Sequence, residues 1–505
     1  MEKEKWFKLK HYPHIGYPIT NFDYAWVKKY ITDTEKIRIH SFLPLIHKCI
    51  KQRKFRPDPN RTDETPTRKR FRIKDEKKRD IYFASHFDSL IFSYYNSILV
   101  DAYEHYVKNK SFNNSIVAYR KIPISEESTN HKCNIEFAYS TFEFIKKNSD
   151  KSLSVIVADV TSFFDNLNHK ILKRNWTEVL QNGSSLPSDH YNVFKALTNI
   201  KYVEGKQLHN SYAKSMIVKR GLPNNNVETQ YKRKYVEKFS YFKEKDAVAF
   251  CTKEEFLKNN LNLIISKNNY RGIPQGSPIS ATLANIYMLD FDKKIYSLIE
   301  KINGYYQRYS DDLIIVCEQT DEDEVIKFIR NTISDPHIAD LEIHSKKTKV
   351  YRFEAINGRF RGFLIDEISK LPNYNKTLEY LGFTFDGTRV LIKSAGMSKY
   401  YRTVIKSFKK SASLAKNSKN PDKDIFKSRL YKKHTHLGSK RRLIFRPSKD
   451  DSTIYLKTKK YDWGNYLSYI KKSDLIMQDL NEDNDIQKQA RKMWKNFHKL
   501  METYK

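Results

Sequence analysis

Three aspartates stand where short apolar segments of the sequence end. Asp159 closes the β-branched run of residues 153–160, and Asp311 and Asp312 occupy the tip of a predicted hairpin over residues 305–316. Neighbouring carboxylates repel each other unless solvent or a cation lies between them, and an isolated Asp-Asp pair is usually only a solvated turn. Here the apolar flanks and the second acidic strand end favour a site. Three carboxylates can hold two Mg²⁺ ions roughly 3.5–4 Å apart, which is the geometry of phosphoryl transfer.

Further motifs accompany the aspartates in a fixed order along residues 159–383. They are Asp159-x-x-x-Phe163-Phe164-Asp165, Gly272–Pro278 (GIPQGSP), Tyr309-Ser-Asp-Asp312, Lys347-Thr348 and Leu381-Gly382-Phe383. Each motif alone is a weak signal. Together, in this order, they resemble the palm motifs of reverse transcriptases. Upstream, Lys74–Ile81 (KDEKKRDI) and Ser115–Arg120 (SIVAYR) resemble fingers segments of the same family, so the resemblance extends from about residue 70 to residue 387.

The resemblance implies a catalytic role for four residues. The aspartates that match Asp159 and Asp311 bind both metal ions in the family, and Asp312 assists. The expected cofactor is therefore a pair of Mg²⁺ ions, with Mn²⁺ as the alternative ion. Lys347 matches the lysine that supplies a proton to departing pyrophosphate, although a solvated surface lysine is the plainer interpretation.

The resemblance also implies residues that bind the incoming nucleotide. Arg79 and Lys74 match the basic residues that hold its triphosphate. Phe164 matches the aromatic that blocks a 2′-hydroxyl, which implies deoxyribonucleotides, and simple core packing is compatible with that role. Gln275 and Gly276 match a loop at the template and the nascent base pair, where glycine permits close backbone approach.

The last palm motif and the C-terminal segments imply a primer site and a setting. Leu381, Gly382 and Phe383 match the primer grip, a hairpin that positions the primer 3′ end. Phe426–Gly438 and Tyr461–Ser473 resemble C-terminal regions of abortive-infection and other defence-associated bacterial reverse transcriptases of the unknown group. This likeness implies a role in antiphage defence. No ribonuclease H segment, zinc-type endonuclease cluster or retron motif is recognised in the sequence.

Hydrophobic periodicity and turn signals predict the elements that position these residues. Strands are predicted at 153–160, at Thr348–Phe353 and at Tyr380–Phe385, besides the hairpin at 305–316. The Gly272–Pro278 loop precedes a helix predicted from Pro278 to about Ile299.

The pattern towards the N-terminus is typical of helices. Apolar spacing predicts helices from Asp23 to about Lys54, with Pro44 in a first turn. A short hairpin is predicted at Phe71–Phe83, followed by a helix at Phe87–Tyr106. Beyond Gly396 the chain is predicted to be helical.

Length and motif order together predict the fold class and the domains. A chain of 505 residues exceeds the usual size of a single core. The fold predicted from the resemblance is α+β, a right-hand polymerase with fingers, a palm of antiparallel sheet and helices, and a helical thumb. Residues 1–150 form an N-terminal extension and fingers, 151–390 the palm with a helical insertion at about 170–269, and 391–505 the basic helical thumb.

The charge balance favours a polyanionic partner. The chain has 93 Lys and Arg against 59 Asp and Glu, a formal net charge of +34. A compositional bias towards Lys explains part of this excess. Residues 395–450, however, hold 17 Lys or Arg and 3 Asp or Glu, so the charge is concentrated where a thumb would face a nucleic-acid backbone.

Other classes of protein are disfavoured. Mean hydropathy is −0.72 and no apolar run approaches the ~20 residues that span a bilayer. The N-terminus lacks the apolar stretch of a signal peptide. The four cysteines show no short pairing, which disfavours a disulfide framework or a zinc site. These features predict a protein of the bacterial cytoplasm with no membrane partner.

The leading hypothesis is an RNA-directed DNA polymerase that makes cDNA by two-metal nucleotidyl transfer. Its expected partners are an RNA template, a DNA product and deoxynucleoside triphosphates, with a dedicated noncoding RNA as one candidate for the template. A homo-oligomer is left open. One alternative is a template-independent or protein-primed DNA polymerase of the abortive-infection type, since 34 tyrosines offer hydroxyl primers. Another is a non-catalytic RNA-binding scaffold, which the three aspartates disfavour.

Overall fold

A computed structural model describes most of the chain. The described residues are 3–55, 72–128, 130–181, 183–220, 231–267, 270–344, 347–418, 420, 424–438, 442–447, 455–462, 464–481 and 483–504. Of these, the side chains at 52–55, 72–77, 442–447, 455 and 457–462 are not described.

Helices and strands alternate irregularly along the chain, which confirms the predicted mixture of helices and sheets. The helices are α1 (Tyr24–Ile31), α2 (Thr34–Arg38), α3 (His86–Val107), α4 (Asn134–Lys147), α5 (Phe163–Asn166), α6 (His169–Leu180), α7 (Ser188–Thr198), α8 (Gly205–Tyr212), α9 (Lys253–Asn259), α10 (Ser280–Tyr287), α11 (Leu289–Lys301), α12 (Glu322–Ser334), α13 (Ser394–Lys416), α14 (Lys427–His434), α15 (Tyr466–Ile476) and α16 (Asp485–Thr503). The strands are β1 (His14–Ile15), β2 (Leu45–Phe55), β3 (Arg72–Phe83), β4 (Leu153–Asp159), β5 (Ile200–Glu204), β6 (Met216–Lys219), β7 (Tyr231–Lys234), β8 (Ala247–Cys251), β9 (Ile265–Lys267), β10 (Tyr305–Tyr309), β11 (Asp312–Glu318), β12 (Lys349–Ile356), β13 (Arg359–Ile365), β14 (Pro372–Asn373), β15 (Leu378–Tyr380), β16 (Phe383–Phe385), β17 (Val390–Ile392), β18 (Arg442–Pro447) and β19 (Tyr455–Asp462).

The chain forms two compact units that alternate along the sequence. The first unit contains Met1–Tyr119, Val160–Ser297 and Phe328–His344. The second unit contains Arg120–Asp159, Leu298–Lys327 and Ser345–Lys505. The three-domain division expected from the sequence stays a prediction.

The centre of the second unit is a six-stranded antiparallel sheet in the order β10-β11-β4-β12-β13-β14. Five of the seven residues of strand β4 are apolar and three of these are β-branched, and the strand pairs with β11 on one side and β12 on the other, as suits an internal strand. Its predicted position, the hairpin at 305–316 and the strand at 348–353 are confirmed. One face of the sheet packs against α4 and a small sheet, β15-β16-β17, through rings that include Phe142, Phe353 and Phe385.

The first unit contains two four-stranded sheets, β3-β2-β5-β9 and β1-β8-β6-β7. They share a core that includes Ile46, Val203, Met216 and Phe250. The predicted helix at 87–106 is confirmed as α3, whereas the helix predicted at 278–299 is divided at Met288 into α10 and α11.

Two predictions for the N-terminal part are wrong. Residues 45–54, predicted to be helical, belong to strand β2, and Pro44 precedes that strand. The hairpin expected within 71–83 is one continuous strand, β3, which pairs with β2. The apolar spacing at Leu43, Ile46 and Ile50 imitates a helical period, but pairing of β2 with β3 and β5 fixes an extended backbone.

Three other segments also differ from expectation. The insertion at 170–269 is not simply helical: within its described residues, strands β5 to β9 accompany helices α6 to α9. The C-terminal part includes the antiparallel pair β18–β19 besides its helices. The strand expected at 380–385 is the turn and second strand of the β15–β16 hairpin. Short strands such as β6 (MIVK) lie in polar surroundings, where periodicity gives little signal.

Candidate active site

The sheet of the second unit brings the three aspartates to one edge. Asp159 is the last residue of β4 and Asp312 the first of β11, and the two are directly paired in the antiparallel register. Paired residues on adjacent strands direct their side chains to the same face. Asp311 lies in the two-residue turn between β10 and β11. Strand register therefore collects three carboxylates that are distant in sequence.

The turn that carries Asp311 depends on two residues that the motif left uninterpreted. Ser310 adopts φ +64°, the sign that two-residue hairpin turns require at their first position, and it is buried. Its carbonyl accepts a 3.1 Å hydrogen bond from Nη1 of Arg308, whose side chain is fully buried. The buried guanidinium of Arg308 therefore stabilises the turn at Ser310.

The carboxylates interact unfavourably with one another. Burial raises the pKa of Asp312 to about 6, and the negative charges of Asp311 and Asp159 contribute, against the opposing effects of Lys347 and Lys393. Oxygen donors that repel one another are suited to a hard divalent cation, which relieves the repulsion. The chemical type of these donors therefore suits the predicted Mg²⁺, whereas their arrangement is not that of a metal site.

Lys347 contacts one of these carboxylates. Its Nζ lies 2.6 Å from Oδ1 of Asp159. Lys347 comes two residues before β12, and β12 pairs with β4, the strand that carries Asp159. Within the part of the chain that the structure describes, no group of three or more His, Cys, Asp or Glu side chains is arranged to hold a metal ion. The ammonium group of Lys347 is therefore the cation that contacts Oδ1 of Asp159 in this arrangement.

A second lysine, not singled out by the motifs, lies beside the matched primer-grip segment. Lys393 immediately precedes α13, and its Nζ is 2.7 Å from Oε2 of Glu379. Its backbone N–H donates a 2.9 Å hydrogen bond to the carbonyl of Gly382. Its charge also lowers the pKa of Asp312, which connects it electrostatically to the carboxylates.

The primer-grip segment is a tight hairpin between β15 and β16. Leu381 and Gly382 form its two-residue turn, with φ +42° and +96°. Positive φ at both positions is typical of a type I′ turn, and it is unusual for a leucine. The carbonyl of Leu381 accepts a 3.0 Å hydrogen bond from Nδ2 of Asn134, which also donates to the hydroxyl of Tyr469.

A buried chain of polar groups connects this hairpin to the β10–β11 hairpin. The hydroxyl of Tyr380 donates a 2.9 Å hydrogen bond to Oε1 of Gln307. Nε2 of Gln307 donates to the hydroxyl of Tyr305 over 2.7 Å. Tyr380 and Gln307 are each 3% exposed, so water does not compete for these bonds. No sequence motif pointed to Gln307 or Asn134, because their partners are distant in the chain.

In the first unit, the Gly272–Pro278 loop lies against strand β3. The N–H of Tyr82 donates a 2.9 Å hydrogen bond to the carbonyl of Gln275. Gly276 has φ +114°, and a Cβ there would lie 2.9 Å from the carbonyl oxygen of Tyr82. Glycine therefore permits the loop to approach a protein strand. Arg79 lies exposed on the same strand, and Lys74 lies on it in a part whose side chains are not described.

The same loop contacts helix α5, which carries Phe164. The carbonyl of Phe164 accepts a 2.9 Å hydrogen bond from the N–H of Ile273. Phe163 is 3% exposed and belongs to the core, whereas Phe164 is half-buried, with the two rings edge to face at 5.4 Å. Core packing thus falls mainly to Phe163.

Comparison with known families finds a match for part of the chain. Residues 225–385 match the family described as reverse transcriptase (RNA-dependent DNA polymerase). The match covers less than half of the chain. It includes the Gly272–Pro278 loop, Asp311, Asp312, Lys347 and the primer-grip segment, and it begins after Asp159, Phe164 and Arg79.

Solved telomerase structures are similar to larger parts of the chain at low identity. Apo telomerase from Candida tropicalis, truncated from the C-terminal domain, has 13% identity and a TM-score of 0.38, with 63% of this chain and 53% of that chain covered. Telomerase from Candida albicans in complex with a TWJ fragment of telomeric RNA has 12% identity and a TM-score of 0.36, with coverages of 77% and 54%. The chain spans about half of the length of these telomerases.

Comparison with curated proteins finds no match. Among the described residues, no helix combines the length and apolar character needed to cross a bilayer. All four cysteines are free thiols.

Proposed function

We propose that the protein is an RNA-directed DNA polymerase. The observation that carries this proposal is the direct pairing of Asp159 with Asp312, beside Asp311, at one edge of an antiparallel sheet. The match of residues 225–385 to reverse transcriptases supports it. The substrates are an RNA template, a primer and deoxynucleoside triphosphates, and the product is complementary DNA.

The carboxylates would hold two Mg²⁺ ions, or Mn²⁺ in their place. When bound, these ions activate the primer 3′-hydroxyl and neutralise charge on the leaving pyrophosphate. Asp159 and Asp311 would hold the ions, and Asp312 would assist. Lys347 leaves the oxygen of Asp159 and carries a proton to pyrophosphate, a transfer for which an ammonium group is suited.

The remaining matched residues hold the substrates. Arg79 and Lys74 bind the triphosphate, Phe164 excludes a 2′-hydroxyl, and Gln275 contacts the nascent base pair. Gly276, in the same loop, contributes to the contact with the template. In the second unit, Leu381, Gly382 and Phe383 hold the primer 3′ end.

Removal of the carboxylate charge tests the proposal. Asp311→Asn and Asp312→Asn keep side-chain shape but weaken metal binding, so each is expected to lower incorporation of deoxynucleotides on a primed RNA template by about 10³-fold or more. Radiolabelled primer extension measures the rate. Glu367→Gln, which neutralises an exposed acid of the same unit, is the matched control and should retain activity. Wild-type rates in both aspartate variants, with intact folding, would reject the assignment.

The cellular role that we propose is antiphage defence in the bacterial cytoplasm. Its support is the resemblance of Phe426–Gly438 and Tyr461–Ser473 to defence-associated reverse transcriptases. Cells that express the protein should form fewer phage plaques than cells that express Asp311→Asn. Equal plaque numbers over a broad phage panel would remove this role and leave the polymerase assignment untouched.

A further inference from the structure

A cleft of about 480 Å³ opens among the C-terminal helices of the second unit. Its walls come from α13, from α14 and the residues after it, and from the start of α15. Side chains that line it include Tyr400, Tyr466, Arg429, Lys432, Lys433 and His434. A cleft of this size can hold a nucleotide-sized ligand.

Stacked aromatic rings form one side of the cleft. The rings of Tyr400 and Tyr466 stack at 4.7 Å with an interplanar angle of 19°. Tyr466 stacks on Tyr469 at 5.9 Å, and Tyr469 stacks on Phe383 at 6.1 Å. The column thus extends from the β15–β16 hairpin to the cleft, where a planar ring could continue it. Base–tyrosine stacking is a general means of binding single nucleotides.

Basic side chains also line the cleft. Arg429, Lys432 and Lys433 are exposed on or beside α14, and the described lining contains no carboxylate. Arg429 forms no ion pair with the residues that the structure describes. Arg429 and Lys433, two cations on one helix that face this cleft, are suited to a phosphate group.

A buried imidazole adds hydrogen-bonding capacity. His434 lines the cleft and is 4% exposed. Its Nε2 has no hydrogen-bond partner among the described residues. Burial, and secondarily Lys433, lowers the pKa of His434 to about 4, so the ring is neutral near pH 7. Since buried polar atoms are rarely left unpaired, this nitrogen has an unused bond to offer.

Internal hydrogen bonds hold the walls in place. Nδ2 of Asn465 donates to the carbonyl of Thr435 over 2.5 Å and to that of Lys432 over 3.3 Å. The hydroxyl of Tyr400 donates a 2.7 Å hydrogen bond to the carbonyl of His434. The cleft is therefore a formed feature, and binding needs little reorganisation.

We propose that this cleft binds a nucleoside phosphate, with its base on the tyrosine column, its phosphate on the Arg429–Lys433 side and a base edge at His434. The ligand is either a free nucleotide or one nucleotide of a single strand, which share this chemistry. The proposal does not depend on polymerase activity, because none of the carboxylates contributes to the cleft.

Binding measurements on the full-length chain test the proposal. The protein carries Asp311→Asn and Asp312→Asn, and the buffer contains EDTA, so that metal-dependent binding at the carboxylates is removed. The probes are fluorescent ATP and a fluorescent single-stranded oligoadenylate, followed by anisotropy. We expect Arg429→Ala with Lys433→Ala to weaken binding of the responding probe at least tenfold. His434→Leu tests the base edge and should weaken the same probe.

A matched pair of substitutions separates a local site from diffuse charge. Lys5→Ala with Lys8→Ala removes the same charge from exposed positions near the N-terminus that do not line the cleft. It should leave the affinity within about twofold. Binding of ATP alone identifies a free nucleotide as the ligand, and binding of the oligoadenylate alone identifies a strand. Binding of neither probe, or equal losses in the two double variants at unchanged melting temperature, would overturn the proposal.

Discussion

Phe164 and Phe163 are adjacent in sequence but differ in environment. Phe163 is buried in the core, whereas Phe164 keeps part of its ring accessible next to the Gly272–Pro278 loop. A ring with an accessible face can act on a substrate sugar, and a core ring cannot. Under the proposed function, this difference assigns sugar selection to Phe164 and stability to Phe163.

We expect Phe164→Ala to admit ribonucleotides. Loss of the ring removes the steric block to a 2′-hydroxyl, so the ratio of kcat/KM for dGTP over GTP should fall about tenfold or more. Single-nucleotide extension with both substrates measures it. Phe163→Leu is the control: it should lower the melting temperature, since a core ring is lost, and leave the sugar preference unchanged. An unaltered preference in Phe164→Ala would show that this ring only packs.

The sequence predicts which aspartates come together, but it does not predict the residue that stabilises their turn. The spacing of Asp159, Asp311 and Asp312 at strand ends was sufficient to expect convergence, and strand pairing bears out their proximity. Arg308 carried no such signal. A buried arginine is rare, and only the three-dimensional path of β10 reveals that its guanidinium fastens the turn at Ser310.

A hydrogen bond from Tyr380 to Gln307 connects the β15–β16 hairpin to strand β10. Its contribution can be tested separately from the packing of the hairpin. Tyr380→Phe removes only the hydroxyl and leaves Oε1 of Gln307 buried without its donor. Such a loss costs about 1–3 kcal/mol in the free energy of unfolding. If the hairpin positions the primer, KM for the primer–template should rise while KM for the deoxynucleotide stays constant.

A tyrosine elsewhere in the second unit provides the control for this prediction. Among the described residues, the hydroxyl of Tyr139 makes only long contacts, 3.4 Å to Asp479 and 3.5 Å to Glu143. Tyr139→Phe should therefore change neither stability nor KM appreciably. Equal effects of Tyr380→Phe on both KM values would indicate general destabilisation and contradict a specific role in primer placement.

Elements with a strong internal pattern were predictable, and those defined by distant partners were not. Strand β4 is recognisable because residues 155–158 are continuously apolar and β-branched residues predominate among them, and α3 because its pattern extends over six turns. Strand β2 was mistaken for a helix, since its extended form depends on β3 and β5, which are remote in sequence. The strands between 200 and 267 are short, and tertiary pairing decides them.

For the whole molecule the net charge is +34, and residues 395–450, which include α14 and most of α13, carry +14 of it, with 17 Lys or Arg against 3 Asp or Glu. On α13, Tyr400, Val404 and Phe408 are buried while basic residues such as Arg402 and Lys406 are exposed. This helix thus presents a basic face to solvent. The excess charge predicts binding to nucleic-acid backbone through counterion release.

We expect binding of an RNA–DNA hybrid to weaken steeply with salt. If Arg402→Gln and Lys406→Gln each remove a phosphate contact, the slope of log K against log salt should decrease by about one unit per contact. Fluorescence anisotropy over a salt series measures this slope. Lys5→Gln with Lys8→Gln, at exposed positions near the N-terminus, is the matched control. Identical slopes in the wild type, the Arg402→Gln/Lys406→Gln double variant and the Lys5→Gln/Lys8→Gln control would contradict a localised basic face.

The central claim, that the protein copies RNA into DNA, is tested most directly by the sequence of its product. The full-length protein is given two RNA templates of unrelated sequence that share one primer-binding end, together with all four deoxynucleotides and Mg²⁺, and the DNA is sequenced. Each product should be complementary to its own template and absent with Asp312→Asn. The same sequence or a homopolymer from both templates would contradict the claim and favour template-independent synthesis.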